Sequence, residues 1–155
     1  MRVYRAFERK HSSTAFTGHG AKLYGGRWNS SGMAVVYTAE NYSLVLLEIV
    51  VNTSAGAIPA EMLYVPVDIP DGIHLETLDT RTLSPHWFDY PAPAECQHIG
   101  DAWAKGGATV GLVVPSAVAR IEHNVLLNPR HPDFARLKIG APQNVSIDSR
   151  LMTTR

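Results

Sequence analysis

Ala34-Val-Val-Tyr-Thr-Ala-Glu-Asn-Tyr-Ser-Leu-Val-Leu-Leu-Glu-Ile-Val-Val-Asn52 carries most of the information about how this chain folds. Its first part, Ala34 to Thr38, is a short apolar run rich in β-branched residues, the pattern of a buried strand. Asn41 then stands where a helix N-cap is expected, because its side-chain oxygen can accept from the first free backbone N–H groups. Tyr42 to Asn52 reads as a helix that is apolar almost all round, and such a helix must be covered on most sides. Glu48 interrupts it. A carboxylate among Leu44, Val45, Leu47 and Val51 is costly unless it is paired or faces a cleft. Position alone leaves both readings open: a cleft carboxylate, or one at the helix edge bonded to an Arg or to backbone amides.

Outward from this unit, Val3 to Phe7 reads as a first strand. Residues 11–32 hold Gly18, Gly20, Gly25, Gly26 and Gly32 among Ser and Thr, which suggests a long loop able to approach a ligand closely. On the other side, Met62 to Ile69 alternates as a strand does and stops at Pro70-Asp71-Gly72, a turn signal. Residues 71–93 are turn-rich and aromatic. A helix is expected over Ala94 to Lys105, ended by Gly106-Gly107. Strands follow at Val110 to Pro115 and at Asn124 to Asn128, and Leu137 to Ile147 has room for a last strand pair. The fold class is therefore mixed α+β, strand-rich, in a single domain spanning 1–155.

Lys plus Arg and Asp plus Glu are 14 each, so no overall positive field gathers nucleic acid, and direct nucleic-acid binding by this chain is not expected. Cys96 is the single cysteine, which precludes an internal disulfide and suits a reducing compartment. The first ten residues contain no apolar core of signal-peptide length, and the run from Leu44 to Val51 is too short to span a bilayer. A cytoplasmic location without membrane association is the expectation. The histidines lack metal-ligand spacing, and no metal is expected.

Three residues gain meaning together. Arg27, in Tyr24-Gly-Gly-Arg-Trp-Asn29, can aim a planar fork at a phosphate, although most arginines are simply solvated. Tyr37 is a core aromatic by default and a plate for a flat ring if it borders a cleft. With Glu48, the set would suit a pyrophosphate, a flat base and the positive charge that develops when an N-glycosidic bond breaks. Ser116 follows Pro115 at a strand end. No spacing with His123 or His131 supports a nucleophilic triad, so a hydrogen-bonding role towards NAD or Glu48 is preferred for it. Asn124 is either a cleft residue or an Asn closing a turn.

The ordered motifs Gly-His-Gly-Ala-Lys-Leu-Tyr-Gly-Gly-Arg-Trp-Asn (18–29), Val-Val-Tyr-Thr-Ala-Glu (35–40), Leu-Leu-Glu (46–48), Val-Pro-Ser-Ala-Val (114–118) and Glu-His-Asn-Val-Leu-Leu-Asn-Pro-Arg-His-Pro-Asp-Phe (122–134) resemble the RES-domain family. The resemblance covers nearly the whole chain; residues 71–95 match least well. It implies a fold like that of ADP-ribosyltransferases and a toxin of a toxin–antitoxin pair. It implies NAD as substrate, cleaved at its nicotinamide–ribose bond, and an Xre-type antitoxin covering the active site. Arg27, Glu48 and Ser116 fall on the residues that give the family its name, Tyr37 on its matching aromatic, and Arg5 on an early Arg that helps hold NAD. Arg27, Tyr37 and Glu48 are thus the expected catalytic set. Arg5, Arg27, Tyr37, Ser116 and Asn124 are the expected NAD contacts. The ADP-ribose acceptor stays open between water, phosphate and a protein side chain. A nucleotide-binding module without turnover and a nucleic-acid-targeting toxin are the competing readings.

Overall fold

The structure is a computed structural model that describes residues 1–53, 59 and 61–152. The expected domain bound at residue 155 lies outside them. Its strands are β1 (Arg2–Glu8), β2 (Val36–Ala39), β3 (Met62–Asp68), β4 (Glu76–Thr77), β5 (Gly111–Pro115), β6 (His123–Leu127), β7 (Lys138–Ile139) and β8 (Gln143–Asn144). The α-helices are α1 (His19–Tyr24), α2 (Tyr42–Asn52) and α3 (Ala94–Gly106). This is the strand-rich α+β class expected. The strands form one sheet in the order β4-β5-β6-β2-β1-β3-β7, with β8 also on β3. Only β4 runs parallel to its neighbour.

Side-chain alternation divides the core. Val3 and Phe7 of β1, Leu63, Val65 and Val67 of β3, and Val125 and Leu127 of β6 bury one face. On the other face, α3 covers β5 and β6 through Trp28, Cys96, Trp103, Leu112, Val114 and Leu126. Leu44, Val45 and Ile49 of α2 pack there over Ala39, Tyr4 and Ala6. The cap of α2 is as expected: Leu44 N donates to Asn41 Oδ1 at 2.8 Å. Gly107, in the left-handed region at φ 61, ends α3 with its N–H on the Trp103 carbonyl.

The sheet opens at one seam. β1 pairs with β3 over seven registers, Arg2↔Asp68 to Glu8↔Met62, and β2 pairs with β6 over four. Between β1 and β2 only Tyr4↔Ala39 is in register. The strands splay apart beyond it, leaving backbone groups and side chains free to line a cleft.

Two expectations change. Residues 11–32 are not one long loop: a 3-10 helix over Arg9–Thr14 and α1 occupy much of the stretch. Gly18 and Gly25, both at φ 71, bracket α1, so these glycines act as helix ends rather than as ligand-approach points. The C-terminal pair is reduced to β7 and β8, two residues each, which both pair with β3 rather than with one another.

Candidate active site

The seam opens into a cavity of about 870 Å³, a size within the ordinary range for small-molecule sites. Arg5, Tyr37, Glu48 and Asn124 line it, together with α1 and the preceding 3-10 segment. Glu48 is half-buried on the inner side of α2. Its Oε1 accepts from Asn124 Nδ2 at 2.8 Å and from Ser116 Oγ at 3.2 Å. Among the described residues its Oε2 receives only a long contact from Asn52 Nδ2, at 3.4 Å. One oxygen is therefore fixed, and the other keeps its accepting capacity.

Ser116 is fully buried, and its hydroxyl oxygen accepts from the N–H groups of Val118 and Ala119, both at 3.1 Å. Its single hydrogen goes to Glu48. With its oxygen holding two backbone N–H groups and no exposure to the cavity, it is placed to orient Glu48 rather than to attack a substrate. His123 lies against Glu40 at 3.4 Å, and His131 Nδ1 accepts from Asp133 N, so neither imidazole bonds the serine. Asn124 sits on β6 opposite Ala39 and Val114, not in a closing turn.

Arg5 points into the opened seam. Its Nη1 donates to the Tyr37 carbonyl at 3.1 Å and its Nε to the Ala15 carbonyl at 3.3 Å. The Tyr37 carbonyl is one that a closed β1–β2 ladder would have engaged. Among the described residues no carboxylate pairs with Arg5, and its Nη2 donates to no protein acceptor. Burial pushes the guanidinium down to about 10, still charged at neutral pH. A half-buried cation with spare donors at a cavity wall is a site for an anion.

Arg27 is not among the residues lining this cavity. Its Nη1 donates to the Trp87 carbonyl at 2.7 Å and its Nη2 to that of Asp89 at 3.0 Å, which clamps the 87–89 segment onto the Gly26–Asn29 turn. Tyr37 does line the cavity, but its hydroxyl faces away into the same turn. It donates to Asn29 Oδ1 at 2.7 Å and accepts from Trp28 N at 3.0 Å. Burial raises the phenol's pKa, so the group stays a neutral donor. Asn29, fully buried, donates to the carbonyls of Ala21, Ser30 and Met33. The motif residues thus separate into a cavity group (Arg5, Glu48, Asn124), with Ser116 buried behind Glu48 and not on the cavity wall, and a supporting turn (Arg27, Asn29), with Tyr37 spanning both.

Sequence reasoning missed Asn52 and Ala15. Asn52 had a signal, since it lies four residues after Glu48 on one helix face. Ala15 acts through its carbonyl, which no side-chain pattern reveals.

The RES domain family model matches residues 2–148. This chain belongs to the RES-domain family. It is 37% identical over 157 residues to a protein named Toxin Res from Photorhabdus laumondii, covering 100% of this chain and 99% of that one. It is 34% identical over 146 residues to a Prs ADP-ribosylating toxin from a Sphingobium strain, covering 93% and 91% of the two chains. A chain in the crystal structure of the M. tuberculosis MbcT-MbcA toxin-antitoxin complex superposes with a TM-score of 0.74 at 18% identity. The match covers 94% of this chain and 84% of that one, and shows a shared fold. Among the described residues no helix is long and apolar enough to cross a membrane.

Proposed function

We propose that this RES-domain protein is the toxin of a toxin–antitoxin pair, an enzyme that binds NAD in the seam cavity and breaks its nicotinamide–ribose bond. One observation carries the reading. A carboxylate with one oxygen fixed and one free shares a cavity with a half-buried cation that has no carboxylate partner. NAD presents complementary charges, with an anionic pyrophosphate for Arg5 and a ribose carbon that turns cationic for Glu48.

In the reaction the C1′–N bond breaks and its electron pair stays on the nicotinamide nitrogen, which loses its formal positive charge. The charge passes to the ribose as an oxocarbenium ion beside Glu48, where a fixed negative group stabilises it most. Nicotinamide leaves neutral, so no general acid is needed. Water or phosphate then adds at C1′, and an added water releases its proton. Ser116 and Asn124 hold Glu48 in place, and Tyr37 lines the cavity while its hydroxyl holds the turn. Arg27 keeps that turn and the 87–89 segment together in this reading, and Arg5 takes the phosphate contact. An Xre-type antitoxin covering the cavity would restrain the enzyme. The MbcT-MbcA complex, a toxin with its antitoxin, supports a protein partner of that kind.

A second reading has a specific support. The Sphingobium relative is named an ADP-ribosylating toxin, which favours transfer of ADP-ribose to an acceptor such as a protein side chain. Both readings are tested by incubating the purified, antitoxin-free protein with adenine-labelled NAD, alone and with added cell lysate, and identifying small-molecule and protein-bound products by mass spectrometry. Free ADP-ribose or its 1″-phosphate with stoichiometric nicotinamide supports depletion, and label retained on one protein supports transfer. Release of no nicotinamide under either condition would sink the NAD reading.

A further inference from the structure

The cavity extends past Arg5 to a rim that the chemistry above does not use. α1 contributes His19, Gly20, Leu23 and Tyr24 to its wall. Tyr24 is 85% exposed and Leu23 51%, two adjacent apolar side chains left open on the cavity rim. The backbone beneath them is well fastened. Asn29 Nδ2 donates to the Ala21 carbonyl at 2.8 Å, Gly32 N to that of Lys22 at 2.7 Å, and Ser31 Oγ to that of Leu23 at 3.0 Å. The pair therefore sits on a rigid support while its apolar surface stays uncovered. An uncovered aromatic on a fixed base is suited to stacking.

Order along the wall decides what would stack there. Glu48 bonds Asn124, Asn124 stands opposite Ala39, and Ala39 lies two residues before Tyr37 in reverse along β2. The Tyr37 carbonyl holds Arg5, Arg5 also holds the Ala15 carbonyl, and α1 follows a few residues on. Carboxylate, cation and aromatic rim thus follow one another from α2 to α1. In a dinucleotide the order from the scissile bond is ribose, pyrophosphate, then the second nucleoside with its flat base. From this match we infer that Leu23 and Tyr24 form the platform for the adenine of NAD, with Tyr24 the residue that favours a dinucleotide over a mononucleotide. The inference rests on the NAD reading of the cavity.

The test compares NAD with nicotinamide mononucleotide, which keeps the nicotinamide ribose and one phosphate but lacks the adenylate. Binding is measured by calorimetry on Glu48→Gln protein, so that neither ligand is consumed, with Tyr24 intact, as Tyr24→Phe or as Tyr24→Ala. Loss of one base–aromatic stack predicts roughly tenfold weaker NAD binding in Tyr24→Ala. Mononucleotide affinity should stay unchanged, and Tyr24→Phe should retain the tight binding. Equal weakening of both ligands, no weakening of NAD, or a mononucleotide bound as tightly as NAD with Tyr24 intact would each overturn the platform. Absence of NAD binding with Tyr24 intact would instead remove the NAD reading itself. Tyr24 lies outside the buried core, so these variants are expected to fold.

Discussion

Two neighbouring regions of this protein contain the same kinds of residue and handle them oppositely. In the turn at Gly26–Asn29, polar groups find partners within the chain: both terminal nitrogens of Arg27 hold carbonyls, the Tyr37 hydroxyl both donates and accepts, and Asn29 spends its amide on three carbonyls. A few residues away, at the β1–β2 seam, Arg5 has donors left over and Glu48 keeps one oxygen nearly free. Satisfaction of hydrogen bonds, rather than residue type, distinguishes scaffold from site here. A group already paired in the fold has little left to offer a ligand, whereas an unpaired one gains by binding.

Changing single residues in each region tests that contrast. The largest effect is expected at the seam from Glu48→Gln, which keeps the shape and an oxygen to accept from Ser116 and Asn124 but removes the charge. Turnover should fall roughly 10²–10³-fold, about 2.7–4 kcal/mol, while the melting temperature stays near that of the parent. Activity within a few-fold of the parent would show that Glu48 is not the stabilising group.

Arg5→Met comes next. Loss of hydrogen bonds to a charged group is worth about 1.5–3 kcal/mol, so the Michaelis constant for NAD should rise roughly tenfold or more. Stability should fall only modestly: the Tyr37 and Ala15 carbonyls lose their donor, but both residues border the cavity, where water can replace it, and no carboxylate is stranded. The sign with pH follows from the burial of the cation. Arg5 has a lower pKa folded than unfolded, so its charge costs stability below about pH 10, and that cost fades as the pH rises from there. Denaturant titrations of the variant and its parent should therefore show the parent gaining stability relative to the variant as the pH is raised from 7 to 10 and above. A parent that instead loses stability relative to the variant over that range would contradict the placement.

The smallest effect on chemistry is expected in the turn. Tyr37→Phe strands Asn29 Oδ1 and the Trp28 N–H, each a buried group costing about 1–3 kcal/mol when unmet. Chemical denaturation should register this loss while NAD affinity moves less than it does in Arg5→Met. Arg27→Lys, which keeps the charge and loses the fork, belongs with Tyr37→Phe if the contrast is right. If it instead raises the Michaelis constant as much as Arg5→Met, the division between turn and seam fails.

The order of local units was present in the sequence, because strand, cap and helix are decided by neighbours in the chain. Tyr42–Asn52 with its Asn41 cap has the bounds expected, and the strands around residues 3–7, 62–69, 110–115 and 124–128 lie within a residue or two of expectation. The sequence also drew attention to Glu48, since a carboxylate in an apolar helix requires partners whatever the fold. It offered Ser116 a hydrogen bond to NAD or Glu48 and Asn124 a place in the same cleft, but it could not choose among these, because the two lie 68 and 76 residues from Glu48 and meet it only through β5 and β6.

Arg27 and Arg5 mark the boundary most clearly. Both are arginines in matching motifs, and nothing local ranks one above the other. Tertiary structure turned Arg27 toward carbonyls of a segment some 60 residues on. Arg5 entered a seam that exists because β1 and β2 pair at only one register. The glycines of 11–32 show the same limit, since a left-handed glycine can serve a loop or end a helix. Packing of Ala21 under Trp28 and Val35, together with the Asn29 amide, selected the helix. Residue chemistry fixes what each side chain is able to do; the pairing of distant strands determines which of those capacities remain unspent.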